Sequence, residues 1–149
     1  MRILLIEDDI NKMQSIAAEI CRIRGDAEII EAKSYQSGMR NLVSQSFDLV
    51  LLDMSLPTFD INQDEDGFQV DAFAGRNILA EMDRKGVNVK TAVITMFETF
   101  GDGDDLMTLE ELDSDLAQRY PGIYCGAIYY NSSEVNWKDS LRKLVEVCL

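Results

Sequence analysis

Short runs of apolar residues alternate with stretches of helical periodicity from one end of this chain to the other. Runs of about four to eight apolar residues have the length of buried strands, and the segments between them repeat apolar residues at helical spacing. Strands joined by helical crossovers pair in parallel and are covered by helices on both faces. We therefore expect an α/β fold of five β/α repeats, arranged as a three-layer sandwich.

The apolar runs place five predicted strands at residues 3–6, 27–30, 49–52, 89–95 and 123–130. The third predicted strand is an uninterrupted apolar run, as expected for a central strand with both faces covered. The predicted helices have the following inward-facing residues: Ile10, Met13, Ile16, Ala17, Ile20 and Cys21; Tyr35, Met39, Leu42 and Val43; Ile78, Leu79 and Met82 within residues 73–84; Leu109, Leu112 and Leu116; and Leu141, Leu144, Val145 and Cys148. Ser34 and Thr108 are predicted N-caps, and Gly25 is the predicted stop of the first helix.

The chain has 149 residues and no histidine. This length corresponds to about one domain, so we expect a single domain over residues 1–149. Without histidine the chain cannot itself supply a Ser-His-Asp or Cys-His relay, a zinc site built on imidazole, or a phosphohistidine. These classes of chemistry are excluded.

The three cysteines, Cys21, Cys125 and Cys148, are too irregularly spaced to predict a disulfide framework or a thiolate metal site. We interpret them as buried, reduced thiols. The apolar run at residues 3–6 is too short for the core of a signal peptide, and no later segment has the length of a membrane span. The sequence therefore predicts a soluble, cytoplasmic protein.

The net charge of −13 arises in two acidic segments, near residues 58–72 and 96–118. The first holds five acidic residues and the second eight, neither contains Lys or Arg, and the rest of the chain is formally neutral. Such charge repels phosphate backbones and anionic lipids, so we expect neither a nucleic acid nor a membrane as partner. Cations and basic protein surfaces are the expected partners.

Polar side chains follow three of the predicted strands. Glu7, Asp8 and Asp9 come after the first strand, Asp53 comes after the third, and Thr95 closes the fourth. Open parallel sheets bind ligands at the carboxyl ends of their strands, where the strand order reverses. If these strands are neighbours, the carboxylates converge and repel one another unless a cation offsets their charge. All-oxygen ligands without His or grouped Cys favour Mg²⁺ over zinc.

A carboxylate beside a bound cation and a hydroxyl is suited to accept a phosphoryl group, and Asp53 is the predicted nucleophile. A structural alternative exists, because acidic residues after strands often cap the following helix. Asp8 or Asp9 is the candidate for such a cap.

Three stretches resemble the receiver domains of two-component response regulators: MRILLIEDD at residues 1–9, FDLVLLDMSLP at 47–57 and AVIT at 92–95. The first two are specific in combination, and the resemblance spans nearly the whole chain. It implies a five-stranded parallel sheet of the flavodoxin-like, CheY-like type, with strand order 2-1-3-4-5 and helices on both faces.

The resemblance also implies roles for individual residues. Asp53 is the implied phosphoacceptor. Asp53 and Asp8 are implied direct Mg²⁺ ligands, and Glu7 is an implied outer-shell ligand. The backbone carbonyl of Ser55 completes the implied ligand set. Thr95 is the implied hydroxyl that contacts the phosphoryl group. Tyr129 or Tyr130 is the implied aromatic switch on the last strand.

The sequence departs from the resembled pattern at the end of the fifth strand. A lysine is expected there, but the chain has Asn131, Ser132 and Ser133, and Lys138 lies further on, inside the predicted last helix. That lysine would pair with phosphoryl oxygens, a charge-assisted contact worth about 1.5 to 3 kcal/mol. Its loss argues against switching driven by phosphorylation. Met96, where receivers carry a small residue, adds bulk beside the acceptor.

Both acidic segments lie where the chain is longer than the resembled pattern, and both border the predicted pocket. In the first, Asn62, Asp64, Asp66 and Gly67 resemble part of a calcium loop. The twelfth position of that loop is Phe73, where a bidentate Glu is required. A solvated acidic loop is therefore the preferred interpretation.

The leading hypothesis is a stand-alone receiver domain, not an enzyme, that binds Mg²⁺ and accepts a phosphoryl group on Asp53. The donor would be a phosphohistidine of a histidine kinase or phosphotransfer protein, and the output would be made by protein contact. The alternative is a pseudo-receiver that binds a partner independently of phosphorylation. A phosphatase of the haloacid-dehalogenase type is a third possibility, but it requires an acid where this chain has Ser55.

Overall fold

The computed structural model of the protein describes residues 1–60 and 70–148. In chain order the strands and α-helices are β1 (Arg2–Ile6), α1 (Ile10–Ile23), β2 (Glu28–Ala32), α2 (Tyr35–Ser44), β3 (Leu49–Leu52), β4 (Leu56–Pro57), β5 (Val70–Asp71), α3 (Ala74–Lys85), β6 (Lys90–Thr95), β7 (Thr99–Phe100), β8 (Met107–Thr108), α4 (Leu109–Arg119), β9 (Tyr124–Tyr129) and α5 (Asn136–Cys148), and a short 3-10 helix at Gly103–Asp105 lies between β7 and β8.

The central sheet has the order β2-β1-β3-β6-β9, and every neighbouring pair in it is parallel. Counting only these strands, the order is 2-1-3-4-5, so the predicted fold class and topology are confirmed. The chain adds β2 on one side of β1 and then crosses to place β3 on the other side. The carboxyl ends of β1 and β3 therefore border the crevice at the switch point of the sheet.

The helices cover both faces of the sheet and enclose two apolar cores. Leu4 and Ile6 of β1 point into the core under α2, α3 and α4, whereas Ile3 and Leu5 point into the core under α1 and α5. All four residues of β3 are fully buried, because this central strand is covered on both sides. That burial explains its uninterrupted apolar sequence.

Two of the predicted helix starts are confirmed by hydrogen bonds. The hydroxyl of Ser34 accepts from the backbone N–H of Ser37 at 3.1 Å, and Ser37 Oγ accepts from the Ser34 N–H at 3.1 Å, which forms a capping box at the start of α2. The hydroxyl of Thr108 accepts from the N–H of Glu111 at 3.2 Å at the start of α4. These bonds satisfy donors that a helix leaves free in its first turn.

Some of the residues predicted to face inward do not. Ile10 is 56% exposed and Val43 is 58% exposed, because each lies at the edge of its helical stripe. Cys21 is also exposed, so the interpretation of the cysteines as buried thiols is wrong for this one, while Cys125 and Cys148 are half-buried. Among the described residues all three thiols are free.

The predicted end of the first helix also needs correction. The helix ends at Ile23, and Arg24 is its C-cap in an extended conformation. Gly25 therefore follows the helix end and does not form it. A glycine in the left-handed region does end α3, at Gly86 with φ of 70°.

Two short antiparallel pairs, β4 with β5 and β7 with β8, were not predicted. The second pair folds the start of the acidic segment 96–118 into a hairpin, which Phe100 anchors in the core at 2% exposure. The calcium-loop hypothesis concerns Asn62, Asp64, Asp66 and Gly67, which lie outside the described residues. Across residues 1–60 and 70–148, no helix is long and apolar enough to cross a membrane.

Candidate functional site

The structure brings Glu7, Asp8 and Asp53 together at the carboxyl ends of β1 and β3. One carboxylate oxygen from each lies within 4.8 Å of the others. The pairing of Ile6 with Leu52 places the residue that follows each strand side by side, and the N–H of Asp53 donates to the carbonyl of Ile6 at 3.0 Å. The convergence expected from the sequence thus follows directly from β1 and β3 being neighbours.

The three carboxylates differ in their surroundings. Glu7 is 1% exposed and Asp53 is 3% exposed, whereas Asp8 is half-buried. Oε1 of Glu7 accepts from the N–H of Asp9 at 3.0 Å, and Oδ1 of Asp53 accepts from the N–H of Met54 at 2.7 Å. Oε2 of Glu7 has no well-aligned hydrogen-bond donor among the described residues.

Asp9 performs the structural role that the sequence left open between Asp8 and Asp9. Its Oδ1 accepts from the N–H of Lys12 at 3.1 Å, and it is the N-cap of α1. Asp8 remains available to the cluster. The cap also fixes the first turn of α1, and that turn carries Lys12.

Lys12 is the main residue of the site that the sequence analysis missed. Its side chain is 1% exposed, and its Nζ lies 2.5 Å from Oε2 of Glu7 and 3.2 Å from Oδ2 of Asp53. Nζ also donates to the carbonyl of Ile94 at 2.8 Å, at the end of β6. The ammonium therefore lies between the ends of β1, β3 and β6.

A pattern in the sequence does indicate the burial of Lys12. It precedes Ile16 by four residues and Ile20 by eight, so it lies on the same buried stripe of α1 as these two residues. A lysine at such a position is buried only with partners for its charge. The pattern alone does not single out Lys12, because Lys is usually an exposed residue.

The electrostatics of the cluster favour a further cation. Burial, and next the charge of Asp53, raise the pKa of Glu7 from 4.5 to about 8, although Lys12 acts in the opposite direction. Burial and then Asp53 also raise the pKa of Asp8. Three ionised carboxylates against one ammonium leave an excess of two negative charges in a poorly solvated site.

The donor set fits Mg²⁺. Glu7, Asp8 and Asp53 offer hard oxygen ligands, and Mg²⁺ is commonly held by one or two carboxylates together with water. Oε2 of Glu7, which contacts the ammonium of Lys12, is a further oxygen inside the cluster. Ser55 lies two residues after Asp53 and is half-buried, in the loop between β3 and β4.

Thr95 lies at the end of β6, next to β3 in the sheet, and is fully buried. Its Oγ1 accepts from the N–H of Phe97 at 3.2 Å, and the preceding residue, Ile94, holds Lys12 through its carbonyl. Met96 follows Thr95 and is 38% exposed. The hydroxyl and the ammonium are therefore positioned by consecutive residues of one strand.

The two candidate switch tyrosines have different environments. Tyr129 is 40% exposed, whereas Tyr130 is 4% exposed and packs on Trp137 with ring centroids 4.8 Å apart. Lys12 Nζ lies 6.0 Å from the centroid of the Tyr130 ring. Tyr130 therefore packs on the indole of Trp137 and has the ammonium of Lys12 near its ring.

The segment after β9 forms a turn in place of the expected lysine. Oδ1 of Asn131 accepts from the N–H and from the hydroxyl of Ser133, at 3.1 and 2.8 Å. Ser132 and Ser133 are exposed. Lys138 lies within α5, with its Nζ 5.7 Å from the centroid of the Trp137 ring.

A five-stranded parallel sheet of order 2-1-3-4-5 with a carboxylate cluster at its switch point is the architecture of a CheY-like receiver domain, and comparisons with known proteins agree. No family model matches the chain. The chain is 29% identical to the Detocs response regulatory protein DtcB of Enterobacter cloacae over 151 residues, which cover 99% of this chain and all of that protein. It is 27% identical to an uncharacterised protein, y4jR, of Sinorhizobium fredii over 143 residues, 95% of each chain.

Among solved structures, the response regulator TrrA of Thermotoga maritima, in complex with Mg²⁺ and BeF, superposes with a TM-score of 0.65. The match covers 99% of this chain and 98% of that one, at 20% identity. The chain thus has the CheY-like fold of receiver domains, which confirms the fold that the resemblance in the sequence implies.

Proposed function

We propose that this protein is a response-regulator receiver domain that binds Mg²⁺ and accepts a phosphoryl group on Asp53. The observation that carries the proposal is the meeting of Glu7, Asp8 and Asp53 at the switch point of the sheet, with more carboxylates than the buried ammonium neutralises. The implied donor is the phosphohistidine of a histidine kinase or phosphotransfer protein. The chain has no histidine, so this donor must come from a partner.

Asp53 is the nucleophile in this proposal. Its Oδ1 is held by the N–H of Met54 and its Oδ2 by Lys12, so the carboxylate is fixed before the donor arrives. An oxygen of Asp53 forms a bond to phosphorus as the phosphorus–nitrogen bond of the donor breaks. The electron pair of the broken bond stays on the imidazole nitrogen, which takes up a proton.

Glu7, Asp8, Asp53 and the backbone carbonyl of Ser55 would hold the metal. Bound Mg²⁺ would screen the negative charge of the attacking carboxylate and of the incoming phosphoryl group. The Thr95 hydroxyl would donate a hydrogen bond to a phosphoryl oxygen. We assign the aromatic switch to Tyr130, because it packs against both Lys12 and Trp137.

The relatives support this proposal. DtcB is named a response regulatory protein, and TrrA was crystallised with Mg²⁺ and BeF. Fluoroberyllate has the shape and charge of a phosphoryl group, and its binding therefore reports a site that is competent for phosphate.

The second candidate is a pseudo-receiver that binds a basic partner through its acidic surface. The ion pair of Lys12 with Glu7 and Asp53 favours it, because a buried ammonium already offsets part of the charge that a metal would neutralise. The turn at Asn131, which stands where a lysine is expected, also favours the pseudo-receiver.

One experiment separates the two candidates. The protein is incubated with Mg²⁺ and acetyl phosphate, and its intact mass is compared with that of Asp53→Asn treated identically. A phosphoryl adduct on the wild type that is absent from the variant supports the receiver. If neither acetyl phosphate nor a purified histidine kinase gives an adduct, the pseudo-receiver is favoured.

A further inference from the structure

We propose that Lys12, on the first turn of α1, takes the place of the lysine that is absent after β9 and contacts the phosphoryl group on Asp53. This inference rests on the proposed function. It assigns the phosphoryl contact to a different element of the fold, the helix that follows β1.

The position of the ammonium supports this assignment. Nζ of Lys12 lies 3.2 Å from Oδ2 of Asp53, within hydrogen-bond reach of the group to which phosphorus would be attached. The carbonyl of Ile94 holds the same ammonium from the side of β6, where Thr95 follows. The ammonium beside the acceptor is therefore held at the end of the strand that carries the Thr95 hydroxyl.

Lys12 is also held in place, which an exposed lysine is not. Its backbone N–H is bound by the Asp9 cap, its side chain is 1% exposed, and the Tyr130 ring lies beside its Nζ. A buried lysine pays no further ordering entropy when an anion binds to it. The contact with the phosphoryl group is thus prepared before phosphorylation.

The charges at the site change in a direction that favours this contact. Phosphorylation replaces the single negative charge of Asp53 by a phosphoryl group with about two negative charges at neutral pH. The ammonium of Lys12 is the cation that the described residues place within 4 Å of Asp53. A charge-assisted bond between these groups is stronger than one between neutral groups.

Lys12 should weaken the binding of Mg²⁺ and strengthen the binding of a phosphoryl group. These opposite effects make the inference testable. The ammonium contacts two of the proposed metal ligands, Glu7 and Asp53, and therefore competes with a cation for them. It attracts an anion attached to Asp53. Lys12→Met should accordingly strengthen the binding of Mg²⁺ alone and weaken the binding of fluoroberyllate or phosphate.

The test compares the wild type with Lys12→Met, and with Lys143→Met as a matched control that removes an exposed lysine from α5. Binding of Mg²⁺ alone, and of beryllium fluoride in saturating Mg²⁺, is followed by the fluorescence of Trp137, the single tryptophan. Transfer from acetyl phosphate is followed by intact mass. In that step an oxygen of Asp53 bonds to phosphorus, the phosphorus–oxygen bond to the acetyl group breaks, and acetate leaves with the electron pair.

For Lys12→Met we expect Mg²⁺ to bind several-fold more tightly, and fluoroberyllate to bind about tenfold to hundredfold more weakly. The phosphoryl adduct should accumulate more slowly, and Lys143→Met should behave as the wild type. Lys12→Gln, which keeps a donor for the Ile94 carbonyl, should show the same opposed changes and replaces Lys12→Met if that variant does not fold.

Two outcomes overturn the inference. Unchanged fluoroberyllate binding and phosphorylation in folded Lys12 variants would show that the ammonium does not contact the phosphoryl group. An equal loss of Mg²⁺ and fluoroberyllate binding would show that Lys12 only maintains the fold. If the wild type itself bound neither probe and took no phosphoryl group, the proposed function would fail first, and the inference with it.

Discussion

Lys12 Nζ and Glu7 Oε2 form an ion pair at 2.5 Å in which both side chains are 1% exposed. A buried pair of this kind gains Coulomb energy but loses the solvation of both charges. Because Asp53 shares the same ammonium, the site retains an excess of negative charge. This excess determines how the site should respond to metal, to pH and to mutation.

Mg²⁺ affinity should rise with pH. Burial and the charge of Asp53 raise the pKa of Glu7 to about 8, so in the absence of metal this carboxyl binds a proton near neutral pH far more readily than an ordinary glutamate does. Binding of a cation must expel that proton, and it becomes easier as the pH approaches the pKa. Mg²⁺ titrations followed by Trp137 fluorescence between about pH 6 and about pH 9 should show this increase. Glu7→Gln should weaken binding and abolish most of the pH dependence; a flat wild-type profile would contradict the prediction.

Stability without metal should fall as the pH rises. The pKa of Glu7 is about 8 in the folded protein, and its ordinary value, which applies to the unfolded chain, is 4.5. At pH values between these two, unfolding therefore releases a proton. The unfolded state then binds fewer protons than the folded state, and the free energy of unfolding decreases across this window. Urea unfolding in EDTA at several pH values measures the effect. Mg²⁺ should restore most stability at the alkaline end, and a metal-free stability that increased from about pH 5 to pH 8 would refute this account.

Asp53→Asn should remove the phosphoryl acceptor and yet stabilise the metal-free protein. The substitution keeps the shape of the side chain and removes one of three carboxylates that share one ammonium. We expect a gain of about 1 kcal/mol in the free energy of unfolding near pH 8, because like charges in a buried site repel. Thermal or urea unfolding without metal measures the gain. A clear loss of stability would mean that the contact of Asp53 with Lys12 outweighs the repulsion.

Gly75→Ala should disturb the loop that carries the acceptor. A Cβ at this position of α3 would lie 2.7 Å from the backbone carbonyl oxygen of Asp53 and 3.0 Å from Cα of Met54. Such overpacking against backbone costs about 1 to 3 kcal/mol, which exceeds the gain of about 1 kcal/mol in helix propensity. Both the unfolding midpoint and the rate of phosphorylation should fall.

Gly38→Ala is the matched control for this prediction. Gly38 also lies in a helix, but the three atoms nearest to a Cβ there all belong to the side chain of Ile6, the closest being Cδ1 at 2.8 Å, and none belongs to the backbone. This variant should lose less stability than Gly75→Ala and leave the rate of phosphorylation closer to that of the wild type. Equal effects of the two substitutions would argue against the backbone contact at Asp53 as the cause.

Tyr124→Phe should weaken the attachment of α4 to the edge of the sheet. The phenol of Tyr124 donates to Oδ1 of Asp113 at 2.5 Å, and burial followed by this bond raises the pKa of the phenol above its usual range. Removing the hydroxyl should cost about 1 to 2 kcal/mol, as for a partly buried bond to a charged acceptor. Tyr129→Phe, on the same strand but 40% exposed, should change the free energy of unfolding by much less. Urea unfolding of both variants measures the difference.

The architecture can be predicted from local patterns in the chain. The uninterrupted apolar residues of β3 required a strand covered on both faces, and the stripes of the helices specified which sides face the sheet. Glu7 and Asp53 followed their strands in the chain, so a parallel arrangement was enough to bring them to one edge. These features depend on local periodicity and on the direction of strands, and both can be deduced from a linear sequence.

The residue that fills the centre of the cluster is defined by how the elements pack. Lys12 is five residues from Glu7 in the chain but 41 from Asp53 and 82 from Ile94, so its three partners meet only when α1 packs beside the ends of three strands. The same packing removes water from Glu7 and raises its pKa. Distances and desolvation of this kind depend on how separate elements pack, and neither residue type nor spacing determines them.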